Sequence, residues 1–543
     1  MNHWIVAPVV LPAMLAAILV LVSRFHISLQ RTLSVAGTVV LLGIVVGLFW
    51  QASDGTINVY QLGHWQAPFG IVLVADRLST LMALITAVLA PLVLLYSIGT
   101  GWDTRGRHFH PLYQFQLMGI MGAFLTGDVF NLFVFFEVLL IASYGLMVHA
   151  GGANRLRAGT QYVLYNLLGS TLFLFALGTI YAQTGTLNMA DLAGRVASLD
   201  AGDSAGIRVA AVLLLLVFAV KAAVLPLHFW LPASYAEAPA PVAALFAIMT
   251  KVGAYGIIRI YTLVFPPDLA LTQGLFDTWL MPAALLTLAL GMIGVLGSRR
   301  IDKLVAFAVI GSMGMLLSAV AVFTPAGIVA ALYYAIHSTF ATAALFLLVD
   351  VLRDRRGVVG AWLNDTVPVA GGPLVAGMFF MAAIAMTGLP PLSGFVGKLL
   401  ILDAARASAL VWWVWGTVLI GSLVAVVGFS RAGSQIFWRS HQIALAQADN
   451  AEYEEAEANI ADPTPPQPAL PMVAIGGLLA LLVALTIFAG PVTRNLSATA
   501  AQLFEPEPYI TAVMSMPGKV IKDGYHGDDH TEGAALENDE GGY

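Results

Sequence analysis

The chain has 543 residues, of which 59% are hydrophobic and only 10% are charged. A water-soluble domain cannot cover its surface with so few charged side chains, so this composition excludes that class and indicates an integral membrane protein. Cysteine is absent, which excludes disulfides, thiolate metal sites and iron–sulfur clusters held by the chain's own thiolates. The net charge of −6 carries little information, because acidic residues crowd near the C-terminus.

Apolar segments long enough to cross a bilayer recur along the chain. The N-terminus MNHWIVAPVV has no basic segment before its apolar run, and it predicts a first membrane helix instead of a cleaved signal. Runs of roughly 20 residues exceed the length of barrel strands, so we predict an all-α polytopic membrane protein with about fourteen transmembrane helices. The predicted spans are residues 4–22, 33–50, 78–99, 111–126, 129–149, 160–182, 207–228, 240–264, 275–297, 303–323, 326–349, 374–402, 410–438 and 470–490.

Basic residues are concentrated in alternate loops between these spans, including those that contain Arg24, Arg105, Arg155, Arg299 and Arg355. Cytoplasmic loops carry an excess of Lys and Arg. The pattern therefore predicts a multi-pass protein of the plasma membrane with both termini on the outer side.

Two polar features border the predicted spans. Asp128 directly precedes a span and is predicted to cap its helix. Residues 186–200, TLNMADLAGRVASLD, predict a short amphipathic helix on the outer face.

Four ionisable residues fall inside predicted spans: Glu137, Lys221, Lys251 and Lys398. A charge at the bilayer centre costs on the order of 2.5–3.5 kcal/mol on insertion scales, and such groups indicate a proton or ion path. A lysine near a helix end can extend to the interface, but Lys221 and Lys251 lie too deep for that. A structural ion pair between Glu137 and Lys221 is the alternative. In the functional interpretation, a nearby carboxylate favours the charged ammonium, so a change in the distance between the two groups would protonate or deprotonate Lys221.

Prolines interrupt two predicted spans next to a lysine. In VKAAVLPLHFWLP, Pro226 and Pro232 are predicted to break the helix that carries Lys221. In TGLPPLSGFVGK, Pro390 and Pro391 are predicted to break the helix before Lys398. Broken backbone at membrane depth is tolerated where it lines a polar cavity. Two unrelated proline kinks are the alternative to a repeat.

The two breaks occupy matching places in two sets of five helices, and a repeat with an odd number of helices must be inverted. We therefore predict two inverted five-helix repeats, each with a broken helix. His337 lies between Lys251 and Lys398 in sequence and is predicted to bridge them, because histidine changes charge readily near neutral pH; hydrogen-bonded packing is the alternative. The predicted organisation is N-terminal helices in 1–110, repeats in 111–264 and 275–440, an acidic cytoplasmic linker in 441–469, a last helix in 470–490, and an acidic, disordered outer tail in 491–543.

Three stretches carry a family resemblance: TGDVFNLFVFFEVLLIASYGLM, KAAVLPLHFWLPASYAEAPAPVAALFAIMTKVGAYGIIRIY and GLPPLSGFVGKLL. They resemble the proton-translocating antiporter-like membrane subunits shared by respiratory complex I, membrane-bound hydrogenases and Mrp-type multisubunit sodium/proton antiporters. The resemblance covers roughly residues 70–440, and the chain is most similar to the D-subunit branch of the Mrp antiporters. It implies fourteen helices with two inverted five-helix units. It also implies a proton path through Glu137, Lys221, Lys251, His337 and Lys398.

One stretch departs from the family. Many relatives carry a lysine about one turn beyond the histidine, where this chain has Phe340, Ala341 and Thr342. The resemblance then implies a central path that depends on His337 and water.

The resemblance implies a non-enzymatic transporter subunit without a cofactor, which exchanges protons for sodium together with other antiporter subunits in the bilayer, and which binds no nucleic acid. A proton-pumping subunit of a redox-driven complex has the same fold and lysines and is the alternative. A structural subunit with a vestigial path is disfavoured, because each buried charge costs free energy. Sodium prefers oxygen ligands, and the scarcity of mid-membrane carboxylates leaves open where it crosses and whether any metal site exists.

Overall fold

The computed structural model describes residues 2–22, 25–199, 205–266, 269, 272–364, 369, 371–439 and 469–519. These residues are mostly helical, as the composition predicts. The α-helices are α1 (Ala7–Leu21), α2 (Ile27–Ala52), α3 (Arg77–Gly99), α4 (Phe109–Leu125), α5 (Val129–Met147), α6 (Ala153–Thr184), α7 (Met189–Ala197), α8 (Ala205–Lys221), α9 (Trp230–Glu237), α10 (Ala240–Leu263), α11 (Met281–Gly297), α12 (Ile301–Ala321), α13 (Pro325–Arg355), α14 (Gly372–Thr387), α15 (Ser393–Ala404), α16 (Val411–Gly433), α17 (Ala469–Ile487), α18 (Ala489–Phe504) and α19 (Glu507–Met514).

A small hairpin connects α2 to α3. Its strands β1 (Asn58–Gln61) and β2 (Val72–Ala75) are antiparallel, with Asn58 opposite Ala75. The sequence analysis did not predict these strands, because each is only four residues long and lies between two strong membrane-span signals.

Among the described residues, 10 helices are long and apolar enough to cross a membrane, and the two shorter apolar helices are Ala7–Leu21 and Gly372–Thr387. The number of membrane-spanning helices depends on whether the two pieces of an interrupted helix are counted as one span. The predicted span 207–228 runs from α8 into a break, and the predicted span 374–402 contains both α14 and α15. Neither piece of an interrupted helix reaches the length of a full span, so breaks lower the number of long helices.

Three helices form the centre of the bundle. The most apolar windows of α10, α12 and α13 are 100%, 94% and 94% buried, against 33% for α2 and 28% for the α16 segment. Helix α13 packs against α10, α12, α15, α17 and α18. Side chains on α10 and α13 are therefore shielded from lipid by other helices.

The C-terminal region corrects one prediction. Disorder was predicted for 491–543, but α18 and α19 fold against the bundle. Their buried residues Leu496, Ala500, Leu503, Tyr509 and Val513 recur at helical spacing and form an apolar stripe, which the acidic character of the final residues obscured. Residues 520–543 of that tail, and 441–468 of the predicted linker, lie outside the described residues. The amphipathic helix predicted within 186–200 is confirmed as α7, whose first turn is capped by Asn188.

Candidate functional site

Helix α6 connects two of the predicted charged residues. The Ser170 hydroxyl donates a short hydrogen bond to Glu137 on α5. One turn earlier on the same helix, Asn166 Oδ1 accepts a hydrogen bond of 3.3 Å from Lys221 Nζ. Because residues four apart share a helix face, Asn166 and Ser170 present a polar strip between α5 and α8. Among the described residues no direct ion pair joins Glu137 to Lys221, so the structural ion-pair alternative does not describe this conformation.

The burial of these two charges differs. Lys221 is 5% exposed, whereas Glu137 is only partly buried. Gly169 lies between Asn166 and Ser170, and a Cβ atom there would lie 3.9 Å from Lys221 Cε. The ammonium therefore lies deep in the bundle, while the carboxylate lies closer to its margin.

Lys221 is the last residue of α8, and the chain is not α-helical again until Trp230. Pro226 lies inside this break, as predicted. Pro232 does not break a helix: it lies in the first turn of α9, where a missing N–H is tolerated because first-turn N–H groups have no intrahelical partner.

Neighbouring side chains pair with the backbone that the break leaves free. Thr287 Oγ1 on α11 accepts a hydrogen bond of 2.9 Å from Leu225 N, and the Trp230 indole donates one of 3.0 Å to Val220 O. Specific side chains therefore satisfy backbone groups that the break leaves without a helical partner.

Lys251 lies in the middle of α10 with no exposed surface, and its Nζ makes no hydrogen bond to any residue that the structure describes. It borders a cavity of about 10 Å³, a size near the lower limit for one water molecule. A buried ammonium without a partner is costly. Lys251 therefore needs water or a neutral form, and either condition suits a group that exchanges protons.

His337 on α13 has no exposed surface, and a protonated Lys251 or Lys398 would act on it electrostatically. Its Nδ1 lies 2.9 Å from Ser393 Oγ, in the first turn of α15, while its Nε2 is buried without a partner among the described residues. The two ring nitrogens therefore differ in their surroundings. Ser393 fixes the orientation of the ring through Nδ1, and Nε2 is available to bind water or a proton.

Lys398 is 5% exposed and makes two hydrogen bonds. Its Nζ donates to Thr387 O at 2.5 Å and to Ser422 Oγ on α16 at 2.7 Å. Thr387 is the last residue of α14, so the ammonium caps that helix, where carbonyls are unpaired and the helix dipole is negative.

The second break lies between α14 and α15 and contains Pro390 and Pro391, as predicted. Gly388, at φ 72°, ends α14 in the left-handed region. A Cβ atom there would lie 2.5 Å from Lys398 Cδ. At Gly394 a Cβ atom would lie 1.9 Å from Ala385 O and 3.0 Å from His337 Nε2. Both glycines therefore allow the backbone to approach the two ionisable side chains closely.

Two further buried polar groups on α13 have no hydrogen-bond partner in the described part of the chain: the hydroxyl of Tyr334, whose ring centroid lies 5.5 Å from that of His337, and Thr342 Oγ1. Thr342 belongs to the stretch in which the family resemblance leads us to expect a lysine. Like Lys251 Nζ and His337 Nε2, these groups are buried polar atoms that bound water would satisfy.

The sequence analysis missed the neutral residues of the site. Asn166, Ser170, Ser393 and Ser422 each contact a charged or histidine side chain. A usable signal was the spacing of Asn166 and Ser170 inside an apolar segment; Ser422 carried no comparable signal.

The arrangement defines a membrane helix bundle with ionisable side chains inside its helices and next to two helix breaks, and the comparisons agree with a membrane antiporter subunit. Residues 126–425 match the family model described as NADH:quinone oxidoreductase/Mrp antiporter, TM. The chain is 37% identical over 550 residues to the D subunit of a probable K(+)/H(+) antiporter of Rhizobium meliloti (strain 1021), covering 95% of this chain and 98% of the relative. It is 39% identical over 520 residues to the D subunit of the Na(+)/H(+) antiporter of Bacillus subtilis (strain 168), covering 95% and 100%.

A solved structure gives the same result. A chain in the Mrp complex from Dietzia sp. DQ12-45-1b matches with a TM-score of 0.84 and 29% identity, covering 95% of this chain and 100% of that one. The chain therefore belongs to the NADH:quinone oxidoreductase/Mrp antiporter family of membrane proteins. Within that family it is a D-type antiporter subunit of the Mrp group, as the sequence motifs predicted.

Proposed function

We propose that this chain is the proton-translocating subunit of a multisubunit monovalent cation/proton antiporter, with sodium as the exported cation. The observation that supports the proposal is the set of ionisable groups inside the bundle, four of them buried and Glu137 partly buried, each on its own helix and each beside a polar side chain or a cavity. Protons would pass along Glu137, Lys221, Lys251, His337 and Lys398.

Each lysine would act as a proton carrier. A buried ammonium is stabilised by a hydrogen-bond acceptor or a nearby carboxylate, and its neutral amine is favoured when that partner moves away. Asn166 offers an acceptor to Lys221, and Ser170 anchors the carboxylate of Glu137. A shift of α6 relative to α8 would therefore change how firmly Lys221 holds its proton. Arginine, which stays charged, could not do this.

The path would cross the centre of the bundle by way of water. Lys251 Nζ and His337 Nε2 have no hydrogen-bond partner among the described residues, and Phe340, Ala341 and Thr342 stand where the family resemblance leads us to expect a lysine. One or two bound waters would connect these atoms and satisfy them. In this proposal the water and His337 take over the role of the missing lysine.

The proposed architecture has fourteen transmembrane segments, counting α8 with α9 and α14 with α15 as broken segments. The two breaks support inverted five-helix repeats in 111–264 and 275–440, with helices 1–110 before them and a single helix, 470–490, after the linker. The chain would lie in the plasma membrane with both termini outside. Arg300 and its partners Glu237 and Asp302, at 3.0 and 2.6 Å, would mark the cytoplasmic face.

Other antiporter subunits are the proposed partners. The two relatives are named as subunits, and Glu137 is only partly buried within this chain. A carboxylate facing lipid would be costly, so a neighbouring subunit is expected to complete its surroundings.

The experiment uses everted vesicles from an antiporter-deficient host that expresses this chain with its partner subunits. After respiration acidifies the lumen, sodium or potassium is added and a pH-sensitive dye follows the gradient. We expect collapse of the gradient with sodium, and its loss in Lys221→Ala. Leu216→Ala, on the exposed side of the same helix, is the matched control and should behave as the native chain.

The outcomes separate the candidates. A response to potassium alone would keep the antiporter and change its cation. Normal exchange in an assembled Lys221→Ala complex would remove this chain from the proton path. Proton movement that requires an electron donor and ignores both cations would assign the chain to a redox-driven pump.

A further inference from the structure

The cavity beside Lys251 extends towards the face predicted to be outer. Its lining on α10 runs from Lys251 through Tyr255 to Ile258, and α3 contributes Leu78 and Met82. Seven residues of helix cover about 10 Å. The lining therefore runs from the level of Lys251 to that of Ile258, the residue before Arg259, while the cavity of about 10 Å³ has room for about one water molecule.

A buried ion pair lies next to residues of that lining, since Asp76 is two residues before Leu78 and Arg259 directly follows Ile258. Arg259 donates to Asp76, at the start of α3, through two nitrogens at 2.6 and 2.7 Å. Arg259 and Asp76 are 3% and 1% exposed. Arg259 Nε also reaches the Tyr255 hydroxyl at 3.4 Å, and that hydroxyl donates to Phe124 O at 2.7 Å. The lining residue Tyr255 thus links the cavity to the charged pair.

The C-terminal helix α19 covers the pair. The Tyr509 ring centroid lies 5.3 Å from the Arg259 guanidinium carbon, and Tyr509 is 4% exposed. Its hydroxyl lies 3.1 Å from the position of a Cβ atom at Gly127, so it also closes against the start of α5. Tyr509 is therefore part of the cover over the ion pair.

The segment that carries Tyr509 is attached by hydrogen bonds at its two ends and by the buried side chains of Tyr509 and Val513. Gln502 accepts from Arg77 N at 3.1 Å and donates to Gly55 O at 3.0 Å. Beyond α19, Met516 O accepts from Gln61 Nε2 at 3.1 Å, and Lys519 N donates to His64 O at 2.7 Å. Each of these hydrogen bonds contributes modestly to stability, and the gate inferred below requires that this segment separates while the bundle stays folded.

We infer that Asp76, Arg259 and Tyr509 form the closed outer gate of a proton outlet that begins at Lys251; this inference rests on the proposed function. In the closed state the guanidinium charge repels a proton leaving Lys251, and Tyr509 excludes outer water. When α19 moves away, water reaches Asp76. A proton can then pass from the Lys251 ammonium through cavity water to the carboxylate and on to outer water, leaving a neutral amine on Lys251.

The test removes the cover and measures two independent quantities in the complete complex. The first is decay of a preformed pH gradient in everted vesicles without added sodium or potassium. Tyr509→Ala should speed this decay at least threefold, and Lys251→Ala in the same chain should abolish the increase. Glu507→Ala, an exposed change on the same helix, should leave the decay at the native rate.

The second quantity is access from outside, measured in intact cells with a membrane-impermeant maleimide. Because the chain has no cysteine, Leu78→Cys provides a single thiol in the cavity lining. We expect labelling to be at least tenfold faster when Tyr509→Ala is present. Gln502→Ala removes two hydrogen bonds of the segment without touching the ion pair, and it should also speed labelling. This variant replaces Tyr509→Ala in the test if the Tyr509→Ala complex fails to assemble.

The outcomes separate this inference from the proposed function. Unchanged labelling in an assembled complex would overturn the gate, and faster labelling without a faster leak would overturn the outlet. A leak that persists in Lys251→Ala would likewise overturn the outlet. Cation-driven exchange that survives Lys251→Ala would instead count against the proposed function, whatever the labelling shows.

Discussion

The Lys398 ammonium lies 2.5 Å from the carbonyl oxygen of Thr387, at the residue where α14 ends. This contact gives Lys398 a structural use, because a cation at a helix C-terminus pairs with free carbonyls and with the negative end of the helix dipole. Capping requires a positive charge, whereas proton transfer requires a charge that can be lost. Arginine can serve the first role and not the second.

Lys398→Arg is therefore expected to keep the complex assembled while reducing cation-driven proton exchange at least tenfold. Lys398→Ala should lose exchange and also lower the melting temperature of the purified complex, because the end of α14 loses its cap. Everted-vesicle transport and thermal unfolding are the two measurements. Leu399→Ala, whose native side chain is 54% exposed, is the control. Full exchange in the arginine variant would show that Lys398 acts only as a cap.

Ser170 is expected to position Glu137 through the short hydrogen bond between them. A hydrogen bond to a charged group contributes about 1.5–3 kcal/mol, so Ser170→Ala should reduce exchange about tenfold if the carboxylate must stay in place. Thr171→Ala is the matched control, because the Thr171 hydroxyl bonds only its own helix at Leu167 O and the residue is exposed. Equal exchange in the two variants would argue against a positioning role for Ser170.

The sequence predicted the positions of the buried charges and of the two breaks, because lysines and prolines in apolar segments are conspicuous. The partners of those charges were not predictable, since serine and asparagine are common in membrane helices and their meaning depends on what packs opposite. Ser422, for example, meets Lys398 across 24 residues of chain. The folded part of the C-terminus was not predictable for a similar reason. The stripe of Leu496, Ala500 and Leu503 is recognisable as a packing surface only once α3 and α13 are known to lie against it.

Gly253 is expected to hold α10 against the break after Lys221. A Cβ atom at Gly253 would lie 2.8 Å from both Ala222 N and Phe218 O, and these backbone atoms cannot move without displacing Lys221. Gly253→Ala should therefore destabilise the complex by about 1–3 kcal/mol, the usual cost of overpacking, and should impair exchange.

Gly178→Ala provides the control for this substitution. Gly178 lies inside α6 with no atom within 4 Å of an added Cβ, and alanine is the better helix former by about 1 kcal/mol. Thermal unfolding should thus give opposite signs for the two variants. Similar effects at both positions would show that the close approach of α10 to the break does not matter.

Asp128 predicts a pH dependence of stability. It caps α5 by accepting a hydrogen bond of 2.7 Å from Asn131 N, as the sequence predicted. Burial raises the pKa of Asp128 from 3.8 to about 6, although the backbone hydrogen bonds from Asn131 and Phe130 oppose the shift. The folded state therefore favours the protonated carboxyl. Its contribution to stability is fully present below the unfolded pKa near 3.8, and it is lost as the pH rises through about 6.

Asp128→Asn keeps a good capping side chain but cannot ionise. We expect this variant to be more stable than the native chain at pH 8, by at most ~3 kcal/mol for a shift of about two pKa units. The advantage should shrink as the pH falls towards about 4.5, because the native carboxyl is then largely protonated. Asp128→Ala, which also cannot ionise, should be less stable than Asp128→Asn at every pH because it lacks the cap. Thermal unfolding of the purified complex across this pH range is the measurement. A difference between Asp128→Asn and the native chain that does not change with pH would show that the ionisation of Asp128 is not coupled to folding.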